Sequence, residues 1–405
     1  MEPQRVFSEL KVIDFGTTVV GPSSARVLAD FGATVIKVET NTHVDGLRNS
    51  PPYKDGIVGM NRSGYFNNYN AGKFSVSLNL KLPKAIEIAK KLVKWADVVV
   101  ESFRPGVMEK WGLTYEALRA LKPDLIMVST NMLGQSGPHC QFRGYGHHGG
   151  AIAGWGSTIG WPDRAPLIPF GAYTDYLSAR YVAVAILGAL EYRRRTGKGQ
   201  YIENSQVECS IDFQGPWILD YRINRKSNQR QGNQNADAAP HGAYRCKGED
   251  RWCAIAVATD EEWKLFCRVM GDPPWSKESK FSTHLGRKGN EDQLDRLVEE
   301  WTVQYSAEEV EEKMQRGGVS AKVVKNWADM RQDPQLGHRG HFQEMNHTEI
   351  GPHTYETFGF HLSKTPGGPQ KAAPCLGEHN ELVCTQILRL SHQEFAQLIA
   401  EGIFE

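Results

Sequence analysis

Between Leu10 and Ser129 short apolar runs alternate with helix-length segments, and this succession restricts the fold more than any other feature of the chain. Leu10 to Phe15 reads as a strand, Gly16 and Gly21-Pro22 turn the chain, and Ser23 to Phe31 suits a helix. Gly32 then stops that helix, and the next strand runs to Glu39. The runs lack a polar alternation, so both faces of each strand are expected to be buried, as in a parallel sheet covered by helices. A polar, Asn-rich stretch from Asn41 to Asn70 interrupts the pattern. It resumes with a helix over Pro83 to Trp95, a strand over Asp97 to Val100, a helix over Tyr115 to Leu121 and a strand over Asp124 to Ser129. The expected fold class is α/β, with a Rossmann-like large domain built on a parallel sheet, although GxGxxG is absent. Ligands of such sheets sit beyond the strand ends, here the loops at 16–22, 40–48, 101–106 and 130–138.

With 405 residues and 40% apolar content, the chain has room for a second, smaller domain. Lys+Arg and Asp+Glu both number 47, so no net charge points to a polyanion, and no nucleic-acid partner is expected. A local basic pocket for a phosphorylated ligand is compatible with that balance. The 7 cysteines lack CxxC spacing and the 13 histidines lack HExxH, so neither a disulfide framework nor a metal site is expected. The first residues lack a signal-peptide core, and no apolar run reaches membrane-spanning length. The expectation is a cytoplasmic chain with no membrane partner.

The stretch Phe170 to Ala179 sets Asp175 at the entrance of a long apolar segment, Tyr181 to Leu190, bounded by Arg193-Arg194-Arg195. The segment reads as a core helix with a basic, solvated C-terminal end. Free backbone N–H groups in a first helical turn favour an ionised carboxylate, which would serve as a nucleophile; an acidic residue there also serves simply as a helix cap. Beyond it, Gln200 to Ser205 reads as a strand and Gln206 to about Tyr221 as one helix. The polar run Asn224 to Asp237 reads as a linker, Ala243 to Cys246 and Trp252 to Val257 as hairpin strands, and the regions Glu261 to Met270 and Asn290 to Thr302 as helices. This assigns 1–222 to the first part of the large domain, 223–325 to a small α/β domain, and 326–405 to a C-terminal part that returns to the large one.

Several stretches, in order along nearly the whole chain, resemble the class III CoA-transferases, the superfamily of formyl-CoA and carnitine CoA-transferases and α-methylacyl-CoA racemases. They are Val12 to Phe15 with Gly21-Pro22, Leu28 to Glu39, Glu101 to Met108, Gly134 to Pro138, Thr196 to Gln200, Asp333 to Leu336 and Pro374 to His379. The resemblance implies an interlocked dimer and an acyl-CoA site. It puts the family's catalytic aspartate on Asp175, which would form an aspartyl anhydride and then an aspartyl-CoA thioester. It also puts Arg104 on CoA phosphate, with Lys73, Lys110 and Arg48 as weaker candidates, and Phe103 against adenine or in the core. Turns at Gly134 to Gly137 or Gly149-Gly150 are expected to supply oxyanion donors.

Val19 stands where formyl-CoA transferases carry glutamine, so the acyl site implied is one for larger acids: succinyl-CoA as donor, and an aromatic or dicarboxylic acceptor such as benzylsuccinate. Asn233 to Asp237 falls where relatives carry a glycine-rich lid, but without the glycines. Two alternatives stay open. A racemase would need a second proton-transfer group, and Tyr145 stands at the histidine position with His147 and His148 nearby. The chain would otherwise be a noncatalytic subunit of a heteromeric transferase; homodimer and heteromer are both compatible with the sequence.

Overall fold

The structure, a computed structural model, describes residues 5–169, 172–227 and 229–404, so Phe170 and Gly171 of the Asp175 stretch lie outside the described residues. The chain forms two compact units. The first comprises residues 1–155, 168–226 and 335–405, and the second residues 156–167 and 227–334.

The larger unit is built on strands β1 (Lys11–Asp14), β2 (Thr34–Glu39), β3 (Phe74–Ser77), β4 (Val98–Glu101), β5 (Ile126–Asn131) and β6 (Tyr201–Ser205), joined in the order β3-β2-β1-β4-β5-β6. Every pairing is parallel. Between them in sequence run α1 (Val20–Asp30), α2 (Gly64–Asn70), α3 (Pro83–Trp95), α4 (Val107–Lys110), α5 (Tyr115–Leu121), α6 (Gly146–Ile152), α7 (Trp155–Thr158), which falls in the second unit from Gly156 onward, and α8 (Tyr173–Thr196). Successive strand residues point to opposite faces, which explains the uninterrupted apolar runs. Val12, Val35, Val98, Val100 and Val128 pack against Ala25 and Leu28 of α1 and Val182, Ile186 and Ala189 of α8. Ile13, Ile36, Val99 and Met127 pack on the other face against Ile88, Leu92 and Val93 of α3 and the C-terminal Leu398 and Ile403. Chain order reverses between β1 and β4, so their following loops open a crevice at the sheet's C-terminal edge.

Four local expectations change. Strand β3 was hidden because Phe74-Ser75-Val76-Ser77 is short and half polar. The helix expected from Gln206 breaks into α9 (Gln206–Asp212) and α10 (Gly215–Asn224), because Pro216 lacks the N–H that would continue the ladder. The tail contains an antiparallel hairpin, Phe342–His347 with Gly351–Glu356, whose polar sequence carries no apolar alternation. Helix α8 is not buried all round: Val184 and Leu187 are exposed, and α10 buries none of its residues while exposing Trp217, Leu219, Tyr221 and Ile223.

In the smaller unit, His241–Arg245, Trp252–Ala256 and Ser320–Val323 form an antiparallel sheet. Helices Asp260–Val269, Glu291–Thr302 and Ala307–Arg316 pack Trp263, Phe266, Leu294, Val298, Val310 and Met314 into its core. Asn233 to Asp237 lies in this unit as an exposed turn, with the Asp237 N–H donated to Asn235 Oδ1. Among the described residues, no helix is long and apolar enough to cross a membrane.

Candidate active site

The loop between β1 and α1 makes one wall of the crevice, and buried charges hold it from beneath. Gly16 donates its N–H to Asp14 Oδ1 at 2.8 Å, and a Cβ at Gly16 would come within 2.8 Å of both that oxygen and Gly21 Cα, so only glycine fits this turn. Lys37 Nζ donates to Gly16 O at 2.8 Å and to Asp45 Oδ2 at 2.9 Å. Asp45 Oδ1 in turn accepts from the N–H of Thr18 at 2.9 Å and of Leu47 at 3.0 Å. Lys73 Nζ donates to Asp14 Oδ2 at 2.7 Å, Pro22 O at 2.8 Å and Asn70 Oδ1 at 2.8 Å. Burial pushes Lys73 down to about 8 against the pull of Asp14. Burial also works to lower Lys37, but Asp45, Asp14 and Glu39 outweigh it and leave it raised. Thr18 is held at φ +67°, a left-handed conformation that a threonine adopts only where its surroundings impose it.

The loop after β4 meets this wall. The Thr17 N–H donates to Ser102 Oγ at 2.9 Å, and Ser102 Oγ donates to Thr17 O at 3.1 Å. Glu101, buried at the end of β4, accepts the Phe103 N–H at 2.6 Å and fixes the turn that carries Arg104; burial raises its carboxyl to about 7.

Asp175 lies in the first turn of α8, following Ala172 at φ +55°. It is 6% exposed, and its Oδ1 accepts from Gln206 Nε2 at 2.5 Å. Gly146 presses on the other oxygen: a Cβ there would come within 2.6 Å of Asp175 Oδ2 and 2.7 Å of Ala172 Cβ. Thr174 Oγ1 locks the two segments by donating to Gly146 O at 2.8 Å. The helix start was expected to keep the carboxylate ionised. Burial instead pushes its pKa up to about 7, with the Gln206 hydrogen bond acting in the opposite direction.

A cavity of about 940 Å³ joins these parts. Asp175, Gln206, Val19, Phe103, Arg104, Trp111, Arg143 and Gly146 are among its lining residues. The structure therefore brings Asp175, Arg104, Phe103 and Val19 together. Phe103 packs edge-on against Trp111 with ring centroids 5.3 Å apart. Arg104 and Arg143 are exposed, and neither guanidinium has a hydrogen-bond or ion-pair partner among the described residues.

The other expected cations do not join them. Lys73 is 0% exposed with its ammonium donors spent on three acceptors. Arg48, also 0% exposed, pairs with Glu39 Oε2 at 2.7 Å and lies 3.6 Å from the Phe66 ring centroid. Lys110 is exposed on α4 and does not line the cavity.

The turns expected to donate to an oxyanion, Gly134 to Gly137 and Gly149-Gly150, do not line the cavity, and several of their N–H groups are engaged elsewhere. The Gly134 N–H goes to Asn131 Oδ1 at 2.6 Å, that of Gln135 to Glu203 Oε1 at 2.6 Å, and that of Gly149 to Tyr145 O at 3.1 Å. His147 and His148 are exposed outside the lining, His148 Nδ1 accepting the Tyr145 N–H at 3.2 Å, whereas Tyr145 itself lines the wall. Sequence reasoning missed Gln206, Arg143 and Trp111. Arg143 had a signal, an arginine in a glycine-rich loop beyond a strand; Gln206 had none, because a polar residue opening a helix is ordinary.

The six-stranded parallel sheet with its crevice at the β1/β4 reversal matches the solved structure of a CaiB/BaiF family protein from Brucella suis. The TM-score is 0.87 at 29% identity, over 95% of this chain and 100% of that one. Residues 7–380 match the family described as CoA-transferase family III, and the chain belongs to that family. It is 31% identical to succinyl-CoA–D-citramalate CoA-transferase of Chloroflexus aurantiacus, over 99% of this chain and 98% of the relative. It is 28% identical to succinate–glutarate CoA-transferase of Agrobacterium fabrum, over 94% and 95%. The protein is thus a class III CoA-transferase, and so an enzyme.

Proposed function

We propose that the enzyme carries CoA from succinyl-CoA to a larger dicarboxylic acid, benzylsuccinate being one of the class, with Asp175 as the acyl carrier. The observation that supports this most is a buried carboxylate opening onto a cavity large enough for two substrates in turn. Asp175 attacks the donor thioester and expels CoA thiolate, forming an anhydride. The thiolate then adds to the aspartyl carbonyl, releasing the donor acid and leaving aspartyl-CoA thioester. The acceptor carboxylate displaces the thiolate to form a second anhydride, and the thiolate attacks the acceptor's carbonyl to give product and free Asp175. Covalent catalysis divides one difficult exchange into smaller barriers. An anhydride is readily hydrolysed, so the inward-facing position of Asp175 also serves to limit water.

Two relatives whose names specify succinate or succinyl-CoA support the donor. Val19 is a buried apolar residue in the wall and offers no hydrogen bond to a very small acyl carboxylate, which favours a bulkier acid. Arg143 supplies a cation for a second carboxylate, and Arg104 one for CoA phosphate. The exposed apolar surface of α8 and α10 supports a second chain covering it, as a homodimer or as a heteromer with a related subunit. Among the relatives are chains named as alpha and beta subunits of succinyl-CoA–L-malate CoA-transferase.

Succinyl-CoA offered with a panel of acids, read by product mass, is expected to yield the CoA thioesters of dicarboxylic acids of four carbons or more and none of formate or oxalate; the reverse preference would overturn the substrate assignment. Arg104→Ala is expected to raise KM for succinyl-CoA by about tenfold to a hundredfold with kcat changed far less. An unchanged KM would remove Arg104 from the CoA site.

A further inference from the structure

The two oxygens of Asp175 have different surroundings. Oδ1 accepts the short hydrogen bond from Gln206, whereas Oδ2 has no hydrogen-bond partner among the described residues and lies on a side chain that lines the cavity. Gln206 is itself well placed to hold one orientation. It is 4% exposed at the junction of β6 and α9, where the next residue, Val207, donates its N–H to Met132 O at 3.1 Å.

The proposed chemistry also treats the two oxygens differently. The attacking oxygen becomes the bridge of the anhydride and departs with the donor acid when thiolate adds to Cγ and the Cγ–O bond breaks. The remaining oxygen stays on Cγ as the carbonyl of anhydride and thioester. It bears the negative charge both times Cγ becomes tetrahedral, first under attack by thiolate and then by the acceptor carboxylate. The last step restores the carboxylate with one oxygen taken from the acceptor.

We propose that Gln206 is a catalytic residue, holding Oδ1 as the permanent oxygen and donating its Nε2–H to the oxyanion that forms there, so that Oδ2 alone acts as nucleophile. The proposal rests on Asp175 being the acyl carrier. An amide donor facing a neutral thioester carbonyl gains strength when that carbonyl becomes an oxyanion, so it stabilises the transition state more than the intermediate. It also performs a task that the Gly134 and Gly149 turns, which do not line the cavity, leave open.

The test uses wild-type enzyme with succinyl-CoA and succinate carrying oxygen-18 in every carboxyl oxygen, followed by mass analysis of the Asp175 peptide. A single heavy oxygen on Asp175, still single after many turnovers, is the expected result. Two heavy oxygens in the wild type would overturn the role of Gln206 while leaving Asp175 as carrier. Label that reaches succinyl-CoA without appearing on Asp175 would overturn the carrier assignment itself, and this proposal with it. In Gln206→Met, kcat is expected to fall by about a hundredfold to a thousandfold with KM for succinyl-CoA nearly unchanged, and a second heavy oxygen to accumulate as the carboxylate turns over. A Gln206→Met enzyme with normal kcat and a single label would overturn the proposal.

Discussion

Asparagine at position 175 is expected to lower kcat by about ten-thousandfold or more while succinyl-CoA still binds, because the amide keeps the shape of the side chain and loses the oxygen proposed as nucleophile. Near-normal turnover would remove Asp175 from the mechanism. Wild-type kcat/KM carries a companion signature. Burial sets the carboxyl at about 7, so below that pH the reactive anion is scarce and kcat/KM should fall about tenfold per pH unit, reaching its plateau above it. The same shift acts on folding with the opposite sense. The folded-state pKa lies above the ordinary value of 3.8, so the stability contributed by the protonated form is fully present below 3.8 and is lost as pH rises through about 7. Asp175→Asn should therefore be more stable than wild type at pH 8, by about 1–4 kcal/mol, with the advantage vanishing in acid. Urea denaturation at the two pH values measures it, and equal stabilities at pH 8 would show that the buried carboxylate carries no such cost.

The second large effect is structural. Lys73→Met takes from Asp14 the ammonium with which it forms an ion pair in the core and strips donors from Pro22 O and Asn70 Oδ1. Breaking a fully buried pair in this way costs about 3–5 kcal/mol, read as a lower denaturation midpoint. Lys84→Met, which removes the solvent-exposed partner of Glu401, is expected to leave the midpoint where it was. Equal midpoints for Lys73→Met and wild type would mean that Asp14 finds other compensation.

Lys73 also illustrates where reading the chain stops. In sequence it is a lysine near a loop, open to a phosphate. Only the fold reveals Asp14, distant along the chain and adjacent in space, which consumes that charge. Arg48 follows the same logic through Glu39. Strands β1, β2, β4 and β5 were legible because burial on both faces demands continuous apolar residues, whereas β3 escaped because serine makes up half of it and the C-terminal hairpin because its sequence is largely polar. Asp175 stood out through its place at a helix entrance and through the family resemblance, and Arg104 and Phe103 through their motif after β4. Gln206 is invisible without coordinates, since its significance is a contact between two helix starts.

The two sides of the cavity differ in how much change they tolerate. The β1 side, with Gly16, Lys37, Asp45 and Thr18, is a closed circuit of buried charges and constrained backbone in which each member depends on the others. Phe142 and Tyr145 also line the cavity while remaining 56% and 71% exposed. Substitutions there disturb little packing. New acid preferences in descendants of this chain would therefore arise at Phe142 and Tyr145, with the β1 loop inherited intact, and drift there retunes the substrate without endangering the fold.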